Sequence, residues 1–217
     1  MPVKTLWIVG AGGFGREVLG FARDAVAAGK TDFLIGGFID DHAASLDNFD
    51  VGVSVRCAVE NLAPGADDVF CIALGSPAGR LAIAERLDAK GAAYASVIHP
   101  SAVISERAVL GSGCVVGPGA FVSVDAKVGL HVAIGFNAAV GHDAIVGAGS
   151  VITGCCIVNG GASLGRGVFL GSHSVVLPRV EVGDGVASNA GSIIMRSAPA
   201  GAKVGGNPAR QLPQLAV

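Results

Sequence analysis

An aliphatic residue recurs at every sixth position between residues 98 and 194, with Ser188 as the one exception. A period of six fits neither a helix of 3.6 residues per turn nor a simple hairpin alternation. It fits a solenoid of short parallel strands, in which three hexads close one triangular coil of about 18 residues. We therefore predict a parallel β-helix with the aliphatic residues inside. These are Ile98, Ile104, Leu110, Val116, Val122, Val128, Ile134, Val140, Val146, Ile152, Val158, Leu164, Leu170, Val176, Val182 and Ile194.

Ahead of the hexads, apolar runs of strand length alternate with helix-like spacing. This order predicts a small parallel α/β unit of Rossmann type, whose ligand groups lie at the carboxyl ends of the strands. Three regions follow: a small α/β domain at 1–93, a β-helix domain at 94–195, and a closing loop and tail at 196–217. We predict strands at Val3–Val9, Phe33–Ile39, Val51–Val55 and Val69–Leu74, and helices at Arg16–Gly29 and Pro77–Lys90.

Composition narrows the function without identifying it. The net charge is −2, so no general surface for polyanions is implied and we expect no nucleic-acid partner. No signal or transmembrane run is visible, so we expect no membrane partner. The five cysteines show no metal-type spacing, which favours a reducing cytoplasm and no metal.

The stretch Gly10-Ala11-Gly12-Gly13-Phe14-Gly15 joins the first predicted strand to the first predicted helix. Such a turn lets a phosphate approach backbone N–H groups at a helix N-terminus. A nucleotide or nucleotide sugar is favoured over NAD, because the unit is half the size of a full dinucleotide-binding fold. A purely structural turn stays open. The predicted substrate-binding residues are Gly12, Gly13, Phe14, Asp40, Asp41, Ser76 and Arg80.

The 18-residue coil places residues of neighbouring coils beside one another. Gly160 then lies one coil from His142, and Asp143 follows that histidine directly. A histidine paired with a carboxylate suits a general base near neutral pH, provided that the coil corner turns both side chains to one side. A polar corner residue without catalytic role is the alternative. A second column of Asn137, Cys155 and His173 also stays open, whereas a nucleophilic Cys155 or Cys156 lacks an evident base.

Taken together, the chain resembles the bacterial sugar acyltransferases related to sialic-acid O-acetyltransferase. Within that group it is similar to enzymes that N-acetylate nucleotide-linked 4-amino sugars, such as UDP-linked bacillosamine precursors and GDP-perosamine. The resemblance covers nearly the whole chain. It rests on the segments GAGGFGREV at 10–18, FIDD at 38–41, HDAIVG at 142–147, VVLP at 175–178 and VGGNPAR at 204–210.

The resemblance implies a left-handed β-helix, a homotrimer, and acetyl-CoA as co-substrate in a cleft between adjacent prisms. His142 would take the proton from the sugar amine, and Asp143 would orient it. Gly160, Ser172 and Ala190 would bind the coenzyme. The family often has a second histidine nine residues after the base, where this chain has Val151.

Three functions are therefore carried forward, and transfer of an acyl group other than acetyl, such as formyl or a longer chain, stays open beside them. The first is N-acetylation of a nucleotide-linked amino sugar for surface polysaccharide or glycan synthesis. The second is O-acetylation of a sugar hydroxyl such as that of sialic acid. The third is a trimeric scaffold that does not bind acetyl-CoA.

Overall fold

The computed structural model describes residues 3–213 and contains two packed units. The first is a five-stranded parallel sheet with the order β3-β2-β1-β4-β5. Its order along the chain is β1 (Lys4–Val9), α1 (Gly13–Ala27), β2 (Phe33–Ile39), a 3₁₀ turn (Ala43–Leu46), β3 (Val55–Cys57), β4 (Asp68–Ile72), α2 (Pro77–Asp88) and β5 (Ala93–Tyr94).

Two details of this unit correct the predictions. The strand predicted at Val51–Val55 instead runs from Val55 to Cys57, because Gly52 has a φ of +68° and breaks the extended backbone. Helix α1 begins at Gly13, inside the glycine-rich turn, and not at Arg16.

The second unit is the predicted parallel β-helix, and every strand pairs with the strand 18 residues away, as Val140 does with Val122 and Val158. We name its three sheets by position. The docked face holds β6 (Val97–Ile98), β9 (Val115–Val116), β12 (Ala133–Ile134), β15 (Val151–Ile152), β18 (Phe169–Leu170) and β21 (Ala187–Ser188). The second face holds β7 (Val103–Ile104), β10 (Phe121–Val122), β13 (Ala139–Val140), β16 (Ile157–Val158), β19 (Val175–Val176) and β22 (Ile193–Ile194). The third face holds β8 (Val109–Leu110), β11 (Lys127–Val128), β14 (Ile145–Val146), β17 (Ser163–Leu164) and β20 (Glu181–Val182).

The aliphatic hexad positions line the inside of the prism and form one continuous core. Ser188 replaces an aliphatic residue there, and its hydroxyl lies within hydrogen-bonding distance of that of Ser174 (3.0 Å). Glycine directly after the aliphatic position permits close approach of the coils. At Gly141, for example, a Cβ would lie 2.7 Å from the backbone nitrogen of Gly160. The positive φ that each corner needs falls two residues later, as at Asp143 (57°).

The docked face takes its name from helix α1, which covers its outer surface. Val18, Leu19 and Ala22 of the helix pack against the outward side chains of Val97 and Val115. At the other end, the segment predicted as a closing loop contains β23 (Lys203–Gly205), which extends this face, and the antiparallel β24 (Arg210–Gln211). The predicted fold class, an α/β Rossmann-like unit followed by a left-handed parallel β-helix, is confirmed.

Candidate active site at one corner of the β-helix

His142 and Asp143 are the two central residues of a tight turn between the second and third faces. The Ala144 N–H donates to the carbonyl of Gly141 (3.3 Å) and closes the turn. Because Asp143 has a positive φ of 57°, the alternation of strand side chains is broken and both groups point to the same side. The Nδ1 atom of His142 lies 2.8 Å from Oδ2 of Asp143. The corner thus provides the pairing that sequence alone left conditional.

This pairing sets the chemistry of the imidazole. An ionised carboxylate can only accept a hydrogen bond, so Nδ1 donates to Asp143 and Nε2 carries the free lone pair. Two-thirds of the His142 side chain is exposed (66%), so Nε2 is open to a substrate proton. The pair has the arrangement of a general base and the group that orients it.

Gly160 lies directly beside the imidazole, one coil further along. A Cβ at this position would overlap Nε2 and Cε1 of His142, so only glycine leaves the ring where it is. The Gly161 N–H donates to the carbonyl of His142 (2.8 Å) and fixes the two coils together. The Gly160 N–H has no acceptor among residues 3–213. This N–H is therefore free to donate to a ligand.

A cleft of about 610 Å³ surrounds this corner and extends over the second face. Sequence reasoning missed part of its wall, although the 18-residue spacing could have found Pro178 and Arg179, which lie two coils beyond His142 and Asp143. The cleft is lined by Phe121, Ser123, Ala139, Gly141, His142, Asp143, Ile157, Val158, Asn159, Gly160, Gly161, Pro178 and Arg179.

The remaining histidines and cysteines do not join this cleft. Asn137, Cys155 and His173 stack as a column on a different corner, each with a positive φ. Cys156 faces the inside of the prism and donates to the carbonyl of Gly171 (3.2 Å), and burial raises the pKa of its thiol. A thiol held protonated in this way is a poor nucleophile.

A second cavity, of about 190 Å³, lies at the carboxyl ends of β1, β2 and β4. Asp40 accepts from the backbone N–H groups of Ala11 (2.6 Å) and His42 (2.7 Å), so it ties β2 to the glycine-rich turn. Asp41 accepts from the Val59 N–H (2.8 Å) and pairs with Arg86 (2.7 Å). The hydrogen bond from Arg86 lowers the pKa of Asp41, which keeps this carboxylate ionised.

Within the glycine-rich turn, position 15 has no room for a side chain. A Cβ there would collide with the carbonyl oxygen of Gly10, whereas Gly12 and Gly13 have open space around them at the start of α1. The first glycine also needs its own freedom, because Gly10 has a φ of 105°. Gly12 and Gly13 are exposed at the N-terminus of α1, where backbone N–H groups can meet a phosphate.

We expect Gly15→Ala to lower the free energy of unfolding by about 1–3 kcal/mol, as overpacking does when the contact is backbone. Chemical denaturation of purified protein measures it. Gly20→Ala in the same helix is the control, because nothing lies near its added methyl group and alanine favours a helix by about 1 kcal/mol. An unchanged midpoint for Gly15→Ala would show that the turn relaxes without cost.

Phe14 lies in a groove between the two units, of about 280 Å³. Its walls are mostly apolar, and Val151 lies here, across the second face from His142. Ser172 also lines this groove, on the corner between the docked and second faces. Ala190 lies on the same corner one coil further. Within one chain, therefore, Ser172 and Ala190 are not brought together with His142 and Gly160. The groove is lined by Phe14, Glu17, Phe21, Gly75, Ala133, Ile134, Gly135, Phe136, Val151, Ile152, Thr153, Gly154, Phe169 and Ser172.

The predicted substrate contact at Arg80 is wrong. Its side chain is 0% exposed and is held between the two units. The guanidinium donates to the carbonyls of Ile72, Leu74 and His131. Burial lowers its pKa to about 10, so it is still charged at neutral pH. Ser76 caps α2 by accepting from the Gly79 N–H (3.3 Å) and remains exposed at the end of β4.

Across residues 3–213, no helix has the length and apolar character needed to cross a bilayer. Over the same residues, no group of three or more potential ligand side chains could hold a metal ion.

Known proteins match both units. Residues 5–87 match the family described as the PglD N-terminal domain. The structure is similar to PerB from Caulobacter crescentus, solved in complex with CoA and GDP-perosamine, with a TM-score of 0.85 and 27% identity over 98% of this chain and 99% of that one. It is also similar to the acetyltransferase domain of PglB from Neisseria gonorrhoeae FA1090, solved with acetyl coenzyme A, with a TM-score of 0.85 and 29% identity over 97% and 100% of the two chains.

A shorter match is found with YvoF of Bacillus subtilis strain 168, a protein named as an acetyltransferase. It is 43% identical over 47 residues, which is 22% of this chain and only 27% of that relative's length. The matches to PerB and PglB, by contrast, span both units, including the coil that carries His142. Together, the fold, the corner site and these matches show that the chain is similar to bacterial sugar acetyltransferases that are solved with CoA or acetyl coenzyme A, PerB and the PglB domain among them.

Proposed function

We propose that this protein is an acetyl-CoA-dependent N-acetyltransferase acting on the amine of a nucleotide-linked amino sugar, GDP-perosamine or a UDP-4-amino sugar. The product serves synthesis of a surface polysaccharide or glycan. The observation that carries the proposal is the corner where the free Nε2 of His142 lies beside Gly160, whose N–H has no acceptor among residues 3–213. PerB, solved with CoA and GDP-perosamine, supports the choice of substrates.

In this reaction the amine nitrogen attacks the thioester carbonyl, a C–N bond forms and the C–S bond breaks. Nε2 of His142 takes the proton from the amine, and Asp143 stabilises the imidazolium that results. The Gly160 N–H donates to the oxygen that becomes negative during attack. The proton then passes from His142 to the leaving thiolate of CoA, which restores the base.

In this scheme the coenzyme is bound by Gly160, Ser172 and Ala190. A single chain does not bring these residues together, so the scheme requires more than one chain. The corner of Ser172 and the corner of His142 lie at opposite edges of the second face, so a cleft with both needs a neighbouring copy. Apolar side chains on that face support such a contact, since Val103 (57%), Phe121 (41%) and Ile157 (41%) are exposed in the single chain. We propose a homotrimer; sedimentation should give three times the chain mass of 21.4 kDa.

The nucleotide of the acceptor is proposed to bind at the glycine-rich turn and the Asp40 pocket. Both oxygens of Asp40 already accept one hydrogen bond, yet an ionised carboxylate offers about four acceptor positions. Ribose hydroxyls or a base edge can use the rest. Because acetyl-CoA and nucleotide sugars are substrates of the reducing cell interior, we place the enzyme in the cytoplasm.

The test is a transfer assay with acetyl-CoA and matched acceptors. The wild-type protein is offered GDP- and UDP-linked 4-amino sugars, the same nucleotide sugars with a hydroxyl in place of the amine, and sialic acid. We expect turnover with an amine acceptor only. Turnover with hydroxyls alone would replace the proposal by O-acetylation, and an absence of acetyl-CoA binding by calorimetry would leave a scaffold.

A thermal-shift panel of GDP, UDP, dTDP and CMP complements the assay. A nucleotide present at 100 times its Kd stabilises the folded protein by about 2.7 kcal/mol, which is readily seen as a shift in Tm. We expect GDP or UDP to give the largest shift, and Asp40→Asn to reduce it.

A further inference from the structure

Arg80 makes a contact that joins the two units at one point. Its Nη1 donates to the carbonyls of Ile72 (2.7 Å) and Leu74 (3.1 Å) at the end of β4, and its Nε donates to the carbonyl of His131 (2.8 Å) in the β-helix. One planar, fully buried cation thus holds three carbonyl groups in fixed relative positions. A rigid guanidinium fork does this in a way that a flexible ammonium cannot.

Two further contacts near Arg80 join the N-terminal unit to the β-helix, at His131 and at Gly149. The ring of His131 packs edge-on against Tyr94, with 4.4 Å between the ring centres, and the Tyr94 hydroxyl donates to Asp88 of α2 (2.6 Å). Leu81, the next residue on α2, lies over Gly149, one coil further along the corner. The first turn of α2 is therefore seated on the β-helix at the corner between its third and docked faces.

The chain on either side of these contacts forms the walls of two cavities. Leu74 lines the Asp40 pocket, and the next residue, Gly75, lines the groove between the units. On the β-helix side, the strand that follows His131 supplies Ala133 and Ile134 to the opposite wall of that groove. The spacing of the walls is thus set where Arg80 joins them.

We propose that Arg80 is a positioning residue that fixes the glycine-rich nucleotide pocket at a set distance from the β-helix, so that a nucleotide-linked acceptor reaches the acetylation site. The kinetic consequence of this positioning rests on the proposed function. The positioning matters only for acceptors that are bound through their nucleotide. An amino sugar without a nucleotide has no link to the N-terminal unit and does not depend on this distance.

The kinetic test compares kcat/KM for the nucleotide-linked amino sugar with kcat/KM for the same sugar lacking its nucleotide. The ratio of the two is independent of the folded fraction, which a merely structural role would change. We expect Arg80→Lys and Arg80→Met to lower this ratio by about tenfold or more, since a displacement near 1 Å can cost 10²-fold. A ratio within twofold of wild type in either folded variant would overturn the proposal.

Arg166→Met is the matched control, because Arg166 also links the two units, through Glu85 of α2 (3.7 Å), but with both side chains exposed. An exposed ion pair contributes little, so its ratio should stay at the wild-type value. Arg80→Lys keeps the buried charge and serves as the second variant should Arg80→Met not fold. The proposal would also be contradicted if the ratio of the two kcat/KM values fell by the same factor in the Arg80 variants as in Arg166→Met.

Hydrogen exchange provides an arm that does not depend on the reaction. Amides in 72–76 and 131–136 should exchange faster in the Arg80 variant than in wild type, whereas those in 156–164 should not. If wild type acetylates no acceptor, the proposed function fails while this measurement still decides the joining role of Arg80. Unchanged exchange in both segments would overturn that role.

Discussion

Replacing His142 by asparagine or alanine is expected to lower kcat by about 10²–10⁴, the range in which a positioned general base contributes. The reason is the orientation of the ring, whose Nδ1 is held by Asp143 at 2.8 Å so that Nε2 is the free acceptor. Because the side chain is largely exposed, the loss should come without a change in Tm. Steady-state assays with saturating acetyl-CoA and a nucleotide-linked amine measure it.

His99→Asn is the control for this prediction. His99 lies in the first coil, where its Nε2 is 3.1 Å from Oδ2 of Asp24 in α1, and it does not line the cleft around His142. Its kcat should equal that of wild type. An unchanged kcat in the His142 variants would remove this histidine from proton transfer and leave the amine to lose its proton to water.

Gly160→Ala is expected to lower kcat by about 10² while leaving Tm nearly unchanged. The added methyl group overlaps the far end of the His142 side chain and not the backbone, so the imidazole moves aside at little cost to stability. A displacement of about 1 Å is enough to produce a loss of this size, because proton transfer needs a near-contact geometry. Kinetics and thermal unfolding of one preparation give both values.

A double-mutant cycle identifies the cause of that loss. If the methyl group acts by moving the imidazole, Gly160→Ala should cost nothing further in a protein that already carries His142→Ala. A further loss in the double variant would instead show that the Gly160 N–H, or the space for the acyl group, is disturbed. Full activity of Gly160→Ala alone would contradict the close contact between the two residues.

The hexad period was sufficient to predict the β-helix and to place Gly160 beside His142. Both follow from one geometric rule, since residues 18 apart must be neighbours in adjacent coils. The period could not show which face carries the N-terminal unit. Outward residues of the docked face, such as Val115 and Val151, are no more apolar than Phe121 and Ile157 of the second face.

Arg80 shows a second reason why sequence was not enough. It follows a strand end in an α/β unit, the place where ligand-binding side chains commonly occur. Its actual partners are backbone carbonyls, one of them 51 residues away in the other unit, and no side-chain pattern marks a carbonyl. Ser172 was likewise assigned to the coenzyme path, and the structure adds that one chain alone holds it apart from His142.

The regular stacking of coils also limits how the distance between the N-terminal unit and His142 can change in such an enzyme. His131, to which the N-terminal unit is fastened, and His142 lie within one 18-residue turn of the prism, so a gain or loss of coils elsewhere leaves their separation intact. An added coil between them would shift the base by about 4.8 Å along the axis and keep its facing. Acceptor length can therefore be altered along the axis in whole steps, and intermediate lengths must be met by side chains alone.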